Sequence, residues 1–176
     1  MAHIQLSPYI NWDTRPVADP RRASQAQFMD GMSEILEAQA PMQALHLFQT
    51  YAKAGGLMKI TAPVRSQFER AIIKAAKAEH VVIEKENDSE VEDDSDPRAW
   101  IVRLSDQPRV RLRELGDRGF SEIPMSELAA LVLELRCEDE FMGREDIARA
   151  LLSHYGLQKL TALVGRRLDR VLKEYF

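Results

Sequence analysis

The chain repeats itself without a gap at a spacing of 100 residues, and few folds can accommodate that. Gly56-Leu57-Met58-Lys59-Ile60-Thr61-Ala62 aligns with Gly156-Leu157-Gln158-Lys159-Leu160-Thr161-Ala162, five of the seven residues being identical. Val64, Phe68, Arg70 and Ile72 continue onto Val164, Leu168, Arg170 and Leu172. Upstream, Leu47 and Tyr51 meet Ile147 and Leu151, and Phe28, Met32 and Ile35 meet Leu128, Val132 and Leu135. One matching helical stripe can arise by chance. Three stripes, a glycine and a cap in one register imply duplication of a supersecondary unit.

The local signals say what that unit is. Residues 1–23 carry Pro8, Pro16 and Pro20 with Tyr9 and Trp12, and read as an extended arm. From Ser24 onward Phe28, Met32, Ile35 and Leu36 fall on one helical face, which Pro41 closes. Leu47 and Tyr51 mark a second helix that stops at Gly55-Gly56. Thr61 is placed to cap a third, with Pro63 in its first turn and Val64, Phe68, Ile72 and Ala75 as its stripe. Val81-Val82-Ile83 and Trp100-Ile101-Val102-Arg103-Leu104 read as two strands of a hairpin. Val110 and Leu112, alternating with Arg109, Arg111 and Arg113, extend that pattern, and helices resume near Pro124. The expected fold is therefore mainly α, with two three-helix helix-turn-helix units, the first bearing a β-hairpin wing. The expected division is an arm over 1–23, a winged-helix unit over 24–113 and a second helix-turn-helix unit over 114–176 without its own wing.

The wing loop, 84–96, holds eight acidic residues and one basic residue, Lys85. It reads either as a solvated, mobile hairpin tip or as a built-in nucleic-acid mimic shielding the basic helices.

Composition narrows the class. With 176 residues, 45% of them hydrophobic, and a net charge of −4, the chain can bury a core and has the balance of a soluble globular protein. The single cysteine, Cys137, rules out an intrachain disulfide or a cysteine metal cluster. No basic-flanked apolar run opens the chain and no stretch approaches the ~20 apolar residues of a membrane span, so a cytoplasmic protein is expected.

No phosphate loop, dinucleotide fingerprint or zinc-protease motif is present, and His3, His46, His80 and His154 share no ligand spacing. Glu138-Asp139-Glu140 reads as a solvated turn between helices. No catalytic residue, metal or cofactor is expected. The informative feature is the third helix of each copy, where cations lie off the apolar stripe. Lys59, Arg65, Arg70 and Lys74 form the candidate DNA-binding set of the first copy, and Lys159, Arg166, Arg167 and Arg170 that of the second. A helix-turn-helix presents its third helix to the major groove, so duplex DNA is one expected partner. The other reading is a protein-interaction face, docking a DNA-processing enzyme or a second copy of the chain as a homodimer.

The turns Leu57-Met58-Lys59 and Leu157-Gln158-Lys159, the helices from Arg65 to Ala71 and from Arg166 to Val171, and the start Ile123-Pro124-Met125-Ser126-Glu127-Leu128-Ala129 occur in a recognisable order. In these features residues 25–176 resemble a tandem winged-helix C-terminal module of large bacterial superfamily-one helicase-like proteins, some linked to phage defence. The resemblance implies a winged-helix fold and a helicase-like partner. It implies no reaction, because the module has no assigned chemistry.

Overall fold

The computed structural model describes residues 4–86 and 93–175. They form a mainly helical fold with six α-helices and one small antiparallel sheet. The residues divide into two compact units. The N-terminal unit comprises residues 10–85 and 93–109, and the C-terminal unit comprises residues 4–9, Glu86 and 110–175.

In the N-terminal unit, helix α1 spans Gln25–Gln39 and opens on a capping box. The Gln27 amide donates to Ser24 Oγ at 3.3 Å, and the Ser24 amide donates back to Gln27 Oε1 at 2.9 Å. It buries Phe28, Met32, Ile35 and Leu36 and ends before Pro41, as the sequence implies. Strand β1 (Met42–Gln43) follows, too short to leave an alternation in the sequence. Helices α2 (Ala44–Ala54) and α3 (Ala62–Lys77) precede strands β2 (Val81–Lys85) and β3 (Trp100–Leu104). The sheet order is β1-β3-β2, with Val81 opposite Leu104 and Met42 opposite Val102.

The core of this unit centres on Phe68. Its ring stacks on Phe48 at 4.9 Å and meets Phe28 and Tyr51 edge-on at 5.2 and 5.4 Å. All four rings are buried, so the α3 stripe read from the sequence is the core face. Arm residues 10–22 lie against this unit without forming a helix, and Trp12 is buried. Arg15 pairs with Asp30 and Glu34 of α1.

In the C-terminal unit, α4 spans Met125–Glu138, α5 Arg144–His154 and α6 Ala162–Tyr175. Helices open in corresponding pairs at Gln25 and Met125, Ala44 and Arg144, and Ala62 and Ala162, an offset of 100 each time. The buried residues correspond too. Leu128, Val132, Leu135, Ile147, Leu151, Val164, Leu168 and Leu172 form one core, at the positions of the first copy's stripes.

The chain departs from the expected linear division at three places, one of them Glu86, which belongs with the C-terminal unit. Residues 4–9 belong with the C-terminal unit, whereas residues 10–22 belong with the N-terminal one. Residues 110–113 do not extend the small sheet. The Ser7 amide instead donates to Leu112 O at 3.0 Å, and the Glu114 amide donates to Ser7 O at 2.8 Å. The cause lies in Arg113, which alternation assigned to an outward row but which is buried. It donates to Glu127 Oε2 at 2.8 Å, and Arg118, also buried, donates to both oxygens of the same carboxylate at 2.9 and 3.0 Å. The Tyr9 ring covers both guanidinium groups, at 4.5 Å from Arg118 and 5.4 Å from Arg113. A buried charge is tolerable only where it is paired and hydrogen-bonded, and this network draws residues 4–9 and 110–118 onto α4.

The expectation for the acidic loop needs correction at its described ends; residues 87–92 lie outside the described residues. Asp93 accepts from Ser95 through both backbone and hydroxyl, and the Trp100 indole donates to Asp94 O at 2.8 Å. Glu84 pairs with Arg103 and Arg109. Glu86 caps α4, its carboxylate accepting from the Met125 and Ser126 amides at 2.6 and 3.1 Å and from the Ser126 hydroxyl at 2.6 Å. Glu84 and Glu86 are thus spent on internal partners, whereas Asp93 and Asp94 remain exposed.

Burial pushes the Glu86 carboxyl pKa up, and the bonds from Ser126 and Met125 offset this only in part. A carboxyl whose folded pKa exceeds its unfolded value adds stability at low pH. It loses that contribution as pH rises through the folded pKa. Glu86→Gln removes the titration and keeps an acceptor oxygen. The variant should therefore gain stability relative to wild type as pH rises from the ordinary carboxylate range towards neutrality. Urea melts of both proteins across that range check this, and a constant difference would mean that Glu86 is solvated.

Candidate nucleic-acid interface

The two α-turn-α elements are built alike. In the N-terminal unit α2 ends with the Gly55 amide donating to Tyr51 O at 2.8 Å and the Leu57 amide reaching back to Ala52 O at 2.9 Å. In the C-terminal unit Tyr155 donates to Leu151 O at 3.2 Å and Leu157 to Leu152 O at 2.8 Å. Gly56 and Gly156 carry the turn at φ +85° and +65°, a left-handed conformation open to glycine at no steric cost. Space is not the constraint there, because a Cβ on either would touch nothing within 4 Å.

Thr61 and Thr161 then precede the third helices. The Thr161 hydroxyl accepts from the Val164 amide at 3.3 Å, whereas Thr61 occupies the cap position without a side-chain bond. Pro63 sits in the first turn of α3, where an amide hydrogen would have no helical partner.

On α3, Arg70, Lys74 and Lys77 face solvent opposite the buried stripe, and Lys59 is exposed in the turn. None of these four has an ion-pair partner among the described residues. Arg65 is different. It is half-buried and tied to Glu69 at 3.0 Å and Asp96 at 3.4 Å. The Arg98 side chain also bonds Asp96 and holds its carboxyl pKa below the ordinary range. One described carboxylate at the end of the acidic loop thus rests on the basic helix.

On α6, Lys159, Arg166 and Lys173 are exposed and Arg170 is half-buried. Exposed Asp169 takes Arg144 at 2.7 Å. Arg167, expected to face DNA, is 1% exposed. Its guanidinium donates to Phe120 O and, at 2.7 Å, to Ile123 O. It satisfies the carbonyls at the start of, and just after, a short 3-10 turn (Phe120–Glu122) that leads into α4. Arg167 is therefore structural and leaves the candidate set.

The structure adds residues that the sequence reading passed over. An open groove of about 570 Å³ runs beside the α2–α3 turn, with Leu45, Leu57 and Met58 along it and Lys53 on its edge. The residues before Lys59 had been treated only as turn. Among the described residues no group of three or more His, Cys, Asp or Glu side chains could hold a metal ion. Among the described residues no helix is long and apolar enough to cross a membrane. No protein-family model, curated protein or solved structure matches this chain.

Proposed function

We propose that the chain is a tandem winged-helix protein that binds duplex DNA, without catalytic activity, as a cytoplasmic accessory to a helicase-type or phage-defence system. The observation that carries the reading is the third helix of each copy. In both, a glycine turn carrying an exposed lysine, Lys59 or Lys159, delivers a helix whose apolar stripe is buried and whose other face holds Arg70 and Lys74, or Arg166 and Arg170. In the N-terminal unit the order of three helices with a strand after the first, then a hairpin, is the winged-helix order. A helix so mounted offers cations to phosphates and base edges of the major groove.

Two weak elements on one chain add through effective concentration, which offsets an unfavourable net charge of −4. Fluorescence-anisotropy titrations with mixed duplex DNA at low and moderate salt test the reading. Affinity should fall steeply with salt. Replacing Lys59, Arg70 and Lys74 with alanine should weaken binding about tenfold or more and reduce the salt slope by about one per lost phosphate contact. The set Lys159, Arg166 and Arg170 should behave alike, and the six changes together should abolish binding with the fold intact. A wild-type chain that binds no duplex at low salt would sink the DNA reading.

A second reading, an adaptor docking a helicase-like protein, is favoured by one observation: the groove beside α3 is apolar and Met58 stands fully in solvent there. It expects partner capture to fail when Met58 is changed, with no salt-dependent DNA binding.

A further inference from the structure

We propose that the chain associates with a second copy of itself, the acidic Phe141 turn of one copy entering the basic-edged groove beside α3 of the other.

The plug is the turn between α4 and α5. Phe141 is 88% exposed there, directly after Glu138, Asp139 and Glu140, all of them exposed and without an ion pair among the described residues. The turn is preformed: the Phe141 amide donates to Asp139 Oδ1 at 3.0 Å, and the Met142 amide to Asp139 O at 3.1 Å. A large apolar ring is thus held out on a short stalk carrying three negative charges.

The socket has the opposite character. Leu45, Leu57 and Met58 line an open groove of about 570 Å³ together with Lys53, Lys59 and Arg65, the last already paired with Glu69 and Asp96. Met58 is completely exposed. Lys53 and Lys59 are exposed and pair with no carboxylate among the described residues. Single exposed apolar residues are ordinary on protein surfaces. An apolar projection beside three carboxylates and an apolar groove holding the unpaired cations Lys53 and Lys59 on the same chain are complementary in polarity and in sign. Opposed potentials steer encounter and fix register, and the buried ring supplies the apolar area, about 150–250 Å² for a phenylalanine. The same match disfavours an acidic recess or a bare anionic surface as the partner of the plug.

The contact is heterologous, because plug and socket are different surfaces. It is also small, so it populates in the micromolar range or above. Lys59 lines the socket and also belongs to the candidate DNA face, so the experiment is run without nucleic acid.

Sedimentation velocity of the wild-type chain over about 1–300 μM should show a mass that rises with concentration, less so at high salt. Two exposed-site variants separate the surfaces: Phe141→Ser removes the plug, and Lys53→Glu with Lys59→Glu reverses the socket. Each alone should associate at least about tenfold more weakly, with an unchanged circular-dichroism melt. Mixed in equal amounts they should form a 1:1 dimer and nothing larger, since one brings an intact socket and the other an intact plug. A wild-type chain monomeric throughout, association untouched by either variant, or a mixture that stays monomeric would each overturn the proposal.

Discussion

Replacing Glu127 with glutamine is expected to cost about 3–5 kcal/mol of stability, among the largest losses available to a single substitution in this chain. Glu127, Arg113 and Arg118 are all buried, and the carboxylate is the shared acceptor of both guanidinium groups. Burial is the main influence on Arg113 and lowers its pKa, while Glu127 pulls it back. Without the negative charge two buried cations would lose their shared counter-ion, with neutral acceptors such as the Leu115 and Glu114 carbonyls at Arg118 left beside them. Urea melts followed by circular dichroism measure the loss. A change below about 1 kcal/mol would mean that the network is hydrated and not a closed ion triad. Exchanging all three residues for apolar ones of similar volume should cost much less than Glu127→Gln alone, because no unpaired charge is left behind.

Phe68→Ala is expected to cost about 3–5 kcal/mol, and Leu168→Ala about 2–5 kcal/mol. The two residues occupy corresponding places on α3 and α6 and are both buried. Their surroundings differ. Phe68 is enclosed by the rings of Phe28, Phe48 and Tyr51, which cannot collapse into the gap without leaving their packed geometry. Leu168 is enclosed largely by aliphatic side chains, which close over a smaller void more easily. Phe68→Ala should therefore be the more damaging of the two in the same denaturant melt. Equal losses would show that aromatic packing adds nothing beyond the area removed from water, and a loss below about 0.5 kcal/mol at either site would place that residue on the surface.

Substituting the proposed DNA-contacting residues should behave oppositely. Arg70 and Lys74 are exposed, so their loss belongs in a binding titration and not in a melt. Arg167 shows why position on a helical wheel does not settle such assignments. It shares a helix with Arg166 and Arg170, yet its side chain runs under the chain to Phe120 and Ile123.

The sequence by itself determined the helices, their order and their cores. Buried positions three and four apart within one helix are a local property, so Phe28, Met32 and Ile35 declared a face before any partner was known. The hundred-residue offset then carried that reading onto α4, α5 and α6, and Trp100–Leu104 was legible as a strand from its β-branched and aromatic run. Charges are another matter. Glu127 lies 14 residues from Arg113, Glu86 lies 40 from Ser126, and Arg167 lies 47 from Phe120. Whether a charged side chain is solvated or paired in the interior depends on which distant segment the fold brings beside it, and no local period encodes that. Only the tertiary structure could turn Arg113 inward, make Glu86 the cap of α4, remove Arg167 from the basic face, and leave Phe141 and Met58 standing in water.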